Sequence, residues 1–208
     1  MRLIPWAAVL SATIVSACTP NQKPQTASAQ TPRTPPRTYS RDPFPSTYRR
    51  YPGAGTAITG ATVFDGEGAR IDNGVVVLAD GVVQAVGGPD TAIPEGATRI
   101  DGTGKWVTPG VIDIHSHLGD YPSPSVEAHQ DGNEVTSPVR PEVWAEHSVW
   151  PQDPGFSRAL VNGGVTSLHV LPGSANLFGG RGVTLKNVYG RTMQQMKFPG
   201  APYSLKMA

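Results

Sequence analysis

The sequence predicts an α/β chain, with a small antiparallel β unit over residues 55–109 and the opening of a parallel strand–helix array over residues 110–208. Three observations carry this reading. Asp80-Gly81 stands between two valine-rich runs, a strong hairpin signal because a type I′ turn needs positive φ. VIDIHSH, at 111–117, is a near-continuous β run of the kind found where both faces of a strand are covered. Helix-like DPGFSRALVNG is followed by strand-like VTSLHVLPG, so the order is strand, helix, strand.

The N-terminus reads as an address. MRLIPWAAVLSATIVSAC begins with Arg2, runs apolar and ends in small residues before Cys18. Its apolar stretch is too brief for a membrane-spanning helix of roughly 20 residues, so residues 1–17 are expected to be a secretory signal. Val15-Ser16-Ala17-Cys18 resembles a bacterial lipobox and contains the single cysteine of the chain. The resemblance implies a lipoprotein signal peptide, lipidation of Cys18 and a membrane anchor at the periplasmic face of the outer membrane. Residues 18–54 are rich in Pro, Thr, Gln and Arg and poor in apolar groups, which predicts a disordered tether.

With 208 residues, 38% hydrophobic content and a net charge of +1, the chain can pack a core and carries no nucleic-acid signature. One cysteine excludes an internal disulfide. In the β unit, strands are expected at Ala61 to Phe64, Val75 to Leu78 and Val82 to Val86. A further antiparallel pair, Ala97 to Ile100 and Lys105 to Val107, is expected around the turn Asp101-Gly102-Thr103-Gly104. A unit of about 50 residues is marginal by itself, so something else should help to bury it.

After Thr108-Pro109-Gly110 come the VIDIHSH strand and a polar loop over 119–141. PEVWAEHSVW and DPGFSRALVNG both read as helical, the second stopping at Asn162-Gly163-Gly164. Gly179-Gly180-Arg181-Gly182 lacks the Lys-Ser/Thr of a phosphate-cradling loop and reads as a turn. YSLKMA, at 203–208, reads as the start of a third parallel strand.

Side chains alternate along a strand, so His115 and His117 should project from one side, their Cβ atoms about 6.6 Å apart. Two imidazoles at that spacing can lean onto one ion. Asp113, two residues earlier, should share that face and support a ring, while Ile112, Ile114 and Ser116 should face covering helices.

At this point the chain resembles a known family. Gly104-Lys105-Trp106-Val107-Thr108-Pro109-Gly110, followed by Val111 to Leu118, looks like the entry to the first barrel strand of the metal-dependent amidohydrolase superfamily. The segments from Tyr121 to Glu134 and from Leu171 to Asn176 are similar to its imidazolonepropionase-like bacterial branch. The resemblance implies a (β/α)8 TIM-like barrel preceded by a small β-sandwich. It also implies one or two divalent metals, usually zinc, with His115 and His117 as ligands. The activity implied is hydrolysis of C–N bonds in small-molecule or peptide amides. Lys206 is a candidate for the family's bridging position, and His169 for the pocket wall or an outer hydrogen bond. Glu127, His129, Asp131, Asn133 and Glu134 would be substrate-facing groups of the loop at the barrel mouth, whereas His147 reads as surface.

From Gly110 only 99 residues remain, against about 250 for such a barrel. The sequence therefore predicts a truncated barrel of about two and a half βα units, inactive alone, with the catalytic Asp and further ligands in later sequence. The competing reading is a non-catalytic, lipid-anchored binding or vestigial module. Substrate identity and oligomeric state are left open.

Overall fold

The computed structural model describes residues 40–208, so the expected signal segment, the expected lipidation site Cys18 and the expected tether up to residue 39 lie outside the described residues. Two sheets organise the described chain. The first contains β1 (Thr56–Phe64), β2 (Arg70–Ala79), β3 (Val82–Gly87), β4 (Thr98–Asp101) and β5 (Trp106–Val107). β2 and β3 form the expected hairpin, and Asp80 and Gly81 take φ of 54° and 71°, as a type I′ turn requires.

This sheet is mixed, which differs from the expected antiparallel unit. β1 pairs antiparallel with β2 but parallel with both β4 and β5. The Asp101–Gly104 segment does not reverse the chain; it makes a jog. Gly102 N–H bonds the Thr59 carbonyl at 2.7 Å and Thr62 N–H bonds the Lys105 carbonyl at 2.9 Å, so β4 and β5 follow β1 in one direction. The jog matches an irregularity in β1 at Gly60, whose φ of 76° suits glycine. Apolar residues pack in two clusters, one around Ala57, Val75 and Val77, the other around Ala61, Val63 and Val76.

The second sheet holds β6 (Val111–Ser116), β7 (Val165–Val170), β8 (Phe178–Lys186) and β9 (Ser204–Met207), in that spatial order. β6 and β7 are parallel, joined through α1 (Pro154–Gly163) as the strand–helix–strand order predicts. α1 starts at Asp153, whose side chain caps Gly155 N–H, and stops at Gly164 in the left-handed region with φ of 64°. Leu168 and Val170 of β7 and Val183 and Leu185 of β8 pack with Phe156 of α1, Met193 and Met196 of the one-turn α2 (Met193–Met196), and Ala145 and Val149.

Other expectations change here. β9 runs in the same direction as β7 but reaches it through antiparallel β8, so it is not the direct neighbour of β7. Gly179-Gly180-Arg181-Gly182 is strand, paired in register with β9, and Gly180 is required there because a side chain would collide with the Val143 carbonyl. Residues 141–150 keep only a 3-10 turn at Ala145–His147. Their backbone is committed to the β8 edge: Arg181 N–H bonds the Val143 carbonyl and Arg140 N–H the Phe178 carbonyl, each at 2.7 Å. The tether expectation also ends early. Residues 41–208 form one compact unit, and within it Thr47 N–H bonds the Gln194 carbonyl at 2.9 Å while Ser46 Oγ bonds the Lys197 carbonyl at 2.6 Å.

Candidate metal centre

β6 delivers the two histidines at its C-terminal end. Their ring centroids lie 5.2 Å apart at 76°. His117 Nδ1 is 2.8 Å from the Leu171 carbonyl, which can only accept, so Nδ1 carries the proton and the Nε2 lone pair is left for a ligand. His115 Nε2 lies 3.3 Å from Lys206 Nζ, an amine on β9 that is almost fully buried. Two nitrogen ligands on one tetrahedral ion, bonded at about 2.0–2.1 Å, stand about 3.3 Å apart. The observed separation equals that bite. Among the described residues no group of three or more His, Cys, Asp and Glu side chains converges for a metal. His115 Nε2 and Lys206 Nζ are the pair that stands at a two-ligand spacing, and the His117 ring lies next to that of His115 with its Nε2 lone pair open.

The structure does not set Asp113 against either ring. Between Asp113 and Ser116, β6 advances three residues while β7 advances from Leu168 to Val170, so strict alternation is interrupted. The Asp113 carboxylate instead accepts the His115 backbone N–H at 3.0 Å. Ser116 is buried as expected, but Ile112 and Ile114 are 65% and 78% exposed, since β6 is the edge strand of its sheet.

The loop residues divide. Asn133 accepts Ala175 N–H and donates to Tyr121 Oη, and the Glu134 carboxylate accepts Thr136 N–H, so both hold the loop's own shape. The Thr136 hydrogen bonds keep Glu134 below the usual carboxylate range. Glu127 and His129 lie in an exposed 3-10 turn. His129 and Asp131 help to line a cavity of about 490 Å³ with Gly119, Ala128, Ser148 and Trp150; the His115 and His117 rings are not in its wall.

Three buried acidic groups carry little or no signal in the sequence. Asp153 accepts from Gly119 N–H and Ser123 N–H as well as from Gly155, and so pins the loop leaving His117. Its only sequence signal is the Asp-Pro that opens a helix. Asp120 is fully buried, and neither carboxylate oxygen has a hydrogen-bond partner among the described residues. Burial, reinforced by the nearby Asp131 charge, pushes the acid up to about 8. Glu146 is buried against the Lys197 ammonium at 2.8 Å.

No protein-family model matches the chain. Over 121 residues it is 35% identical to amidohydrolase tasK of Hapsidospora irregularis, which covers 58% of this chain and 12% of that protein. Over 57 residues it is 49% identical to an imidazolonepropionase of Stenotrophomonas maltophilia, covering 26% of this chain and 14% of the relative. A crystal structure of an amidohydrolase from Thermotoga maritima MSB8 superimposes with a TM-score of 0.65 and 37% identity, covering 73% of this chain and 38% of that one. These likenesses support the amidohydrolase superfamily as the family of the chain. Its α/β fold, a small β unit followed by the opening of a (β/α)8 barrel, is that superfamily's fold. The chain spans 12% to 38% of the length of these relatives.

Proposed function

We propose that this chain supplies one side of a divalent-metal centre, most simply zinc, in a hydrolase of C–N bonds acting on an amide or cyclic amide. The observation that carries the reading is the 3.3 Å approach of His115 Nε2 and Lys206 Nζ beside the fixed ring of His117. The relatives' names, amidohydrolase and imidazolonepropionase, support the C–N class.

His117 is locked in one tautomer by the Leu171 carbonyl, so its Nε2 lone pair is aimed before any ligand arrives. Lys206 would serve as a nitrogen donor beside His115 only as the neutral amine, since an ammonium has no lone pair to offer an ion. When bound, a divalent ion supplies Lewis-acid polarisation of a carbonyl and brings the pKa of a bound water to about 7. The chain's own contribution is to preset the rings and to hold the loop that follows His117 through Asp153. Further ligands and the proton-transfer acid come from other parts of the whole protein.

Metal analysis of the purified full-length protein tests this. Wild type should hold zinc stoichiometrically, and His115→Ala/His117→Ala should lose it; unchanged zinc in the double variant refutes the assignment. In the same reading a lipid on Cys18 places the enzyme at the cell envelope. Mass spectrometry of the mature N-terminus checks this, and an unmodified Cys18, or cleavage elsewhere, would sink it.

A further inference from the structure

His169 sits half-buried on β7 with both ring nitrogens engaged. Nε2 lies 2.6 Å from Ser204 Oγ on β9, and Nδ1 lies 2.9 Å from Thr184 Oγ1 on β8. Both are good hydrogen-bond distances, and one imidazole therefore links three strands. Gly182 makes the space: a Cβ there would stand 2.6 Å from Ser204 Oγ and 2.8 Å from His169 Nε2. Any larger residue would push the pair apart.

Ser204 and Lys206 are two residues apart on β9, so they leave the strand on the same side. β9 is only four residues long, and its backbone ladder runs to β8. That ladder does not reach β6, where His115 sits. The side-chain route from β7 to β9 is the His169–Ser204 contact. We propose that His169 is a positioning residue which, through Ser204, fixes where β9 presents the Lys206 amine against His115. The proposal rests on the metal-centre reading above. Burial lowers the proton affinity of His169, in keeping with a neutral ring that donates from one nitrogen and accepts at the other, hydroxyls serving either role.

The test is Co²⁺ titration of the metal-stripped, purified full-length protein, followed by visible absorption, which reports both affinity and coordination geometry. His169→Ala and Ser204→Ala should each weaken Co²⁺ binding about 10–100-fold and alter the absorption bands, with far-UV circular dichroism as in wild type. His169→Gln, whose amide can still reach Ser204, should restore most of the affinity. Ser204→Ala removes one hydroxyl only, so it decides the matter even if His169→Ala does not fold. Wild-type affinity and bands in Ser204→Ala would overturn the proposal. His115→Ala/His117→Ala separates the two levels. Intact Co²⁺ binding there refutes the metal centre itself, whereas loss there with an unaffected Ser204→Ala refutes only the positioning role.

Discussion

Replacing Lys197 by methionine should cost the protein about 3–5 kcal/mol. Lys197 Nζ is 3% exposed as a residue and touches four oxygens: Asp42 Oδ1 at 2.7 Å, the Phe44 carbonyl at 2.7 Å, Glu146 Oε2 at 2.8 Å and Tyr203 Oη at 2.5 Å. Burial opposes the charge, but the hydrogen bonds to Asp42, Glu146 and Tyr203 outweigh it and hold the ammonium above its usual range. The partners are not equal. The Asp42 side chain is 41% exposed, so its ion pair is screened and worth about 0–1 kcal/mol. The Glu146 side chain is 0% exposed, and without Lys197 it would be a buried charge with no counter-ion. Breaking such a pair from one side typically costs about 3–5 kcal/mol, whereas replacing both partners by apolar residues is often near neutral. With a urea m-value of about 2 kcal/mol/M, Lys197→Met should lower the unfolding midpoint by roughly 1.5–2.5 M. Lys197→Met/Glu146→Leu should recover more than half of that. Tryptophan fluorescence suits the assay, since Trp144 packs 5.3 Å from Tyr203. Amide exchange at Thr47 should rise in the single variant, because residues 42–47 are held down at Lys197. A midpoint shift below about 0.5 M, or a double variant as weak as the single, would refute the reasoning.

Asp153→Ala should destabilise by about 2–4 kcal/mol in chemical denaturation, since it removes a helix cap and strands the Gly119 and Ser123 amides; a loss confined to the cap alone, under about 1 kcal/mol, would mean the loop is held by other contacts. For Asp120 the folded acid sits at about 8 against an ordinary 3.8, so the unfolded chain releases its proton first. Stability from this group is complete below about pH 4 and falls as pH rises towards 8, by at most about 1.4 kcal/mol per unit. Asp120→Asn should flatten that slope and raise the melting temperature at pH 8; an unchanged slope would show that the carboxyl titrates normally.

Local pattern was legible wherever local chemistry decides the outcome. The Asp80-Gly81 hairpin, the α1 boundaries at Asp153 and Gly164, and the β7 strand are all found where the residues point. Periodicity failed where a segment's backbone partners lie far away in sequence. Residues 141–150 have helical spacing, yet Val143 and Arg140 bond to β8, and glycine-rich 179–182 becomes strand because it pairs with β9, Gly180 letting Val143 approach. Asp113 leaves the expected face for a related reason: an irregularity between Asp113 and Ser116 breaks the strand's alternation.

Sequence alone placed His115 and His117 together at a strand end, and the resemblance carried by the same residues implied that this strand opens an amidohydrolase barrel. Strand spacing and the Thr108-Pro109-Gly110 entry are properties of neighbouring residues, which any fold containing that strand must respect. Only the tertiary structure decided that Lys206, 91 residues away, meets His115, that His169 reaches Ser204, and that Glu146 is buried against Lys197. Those meetings depend on strand order and register across the second sheet. Register is set by packing and backbone pairing over the whole unit, and no short stretch of sequence carries it.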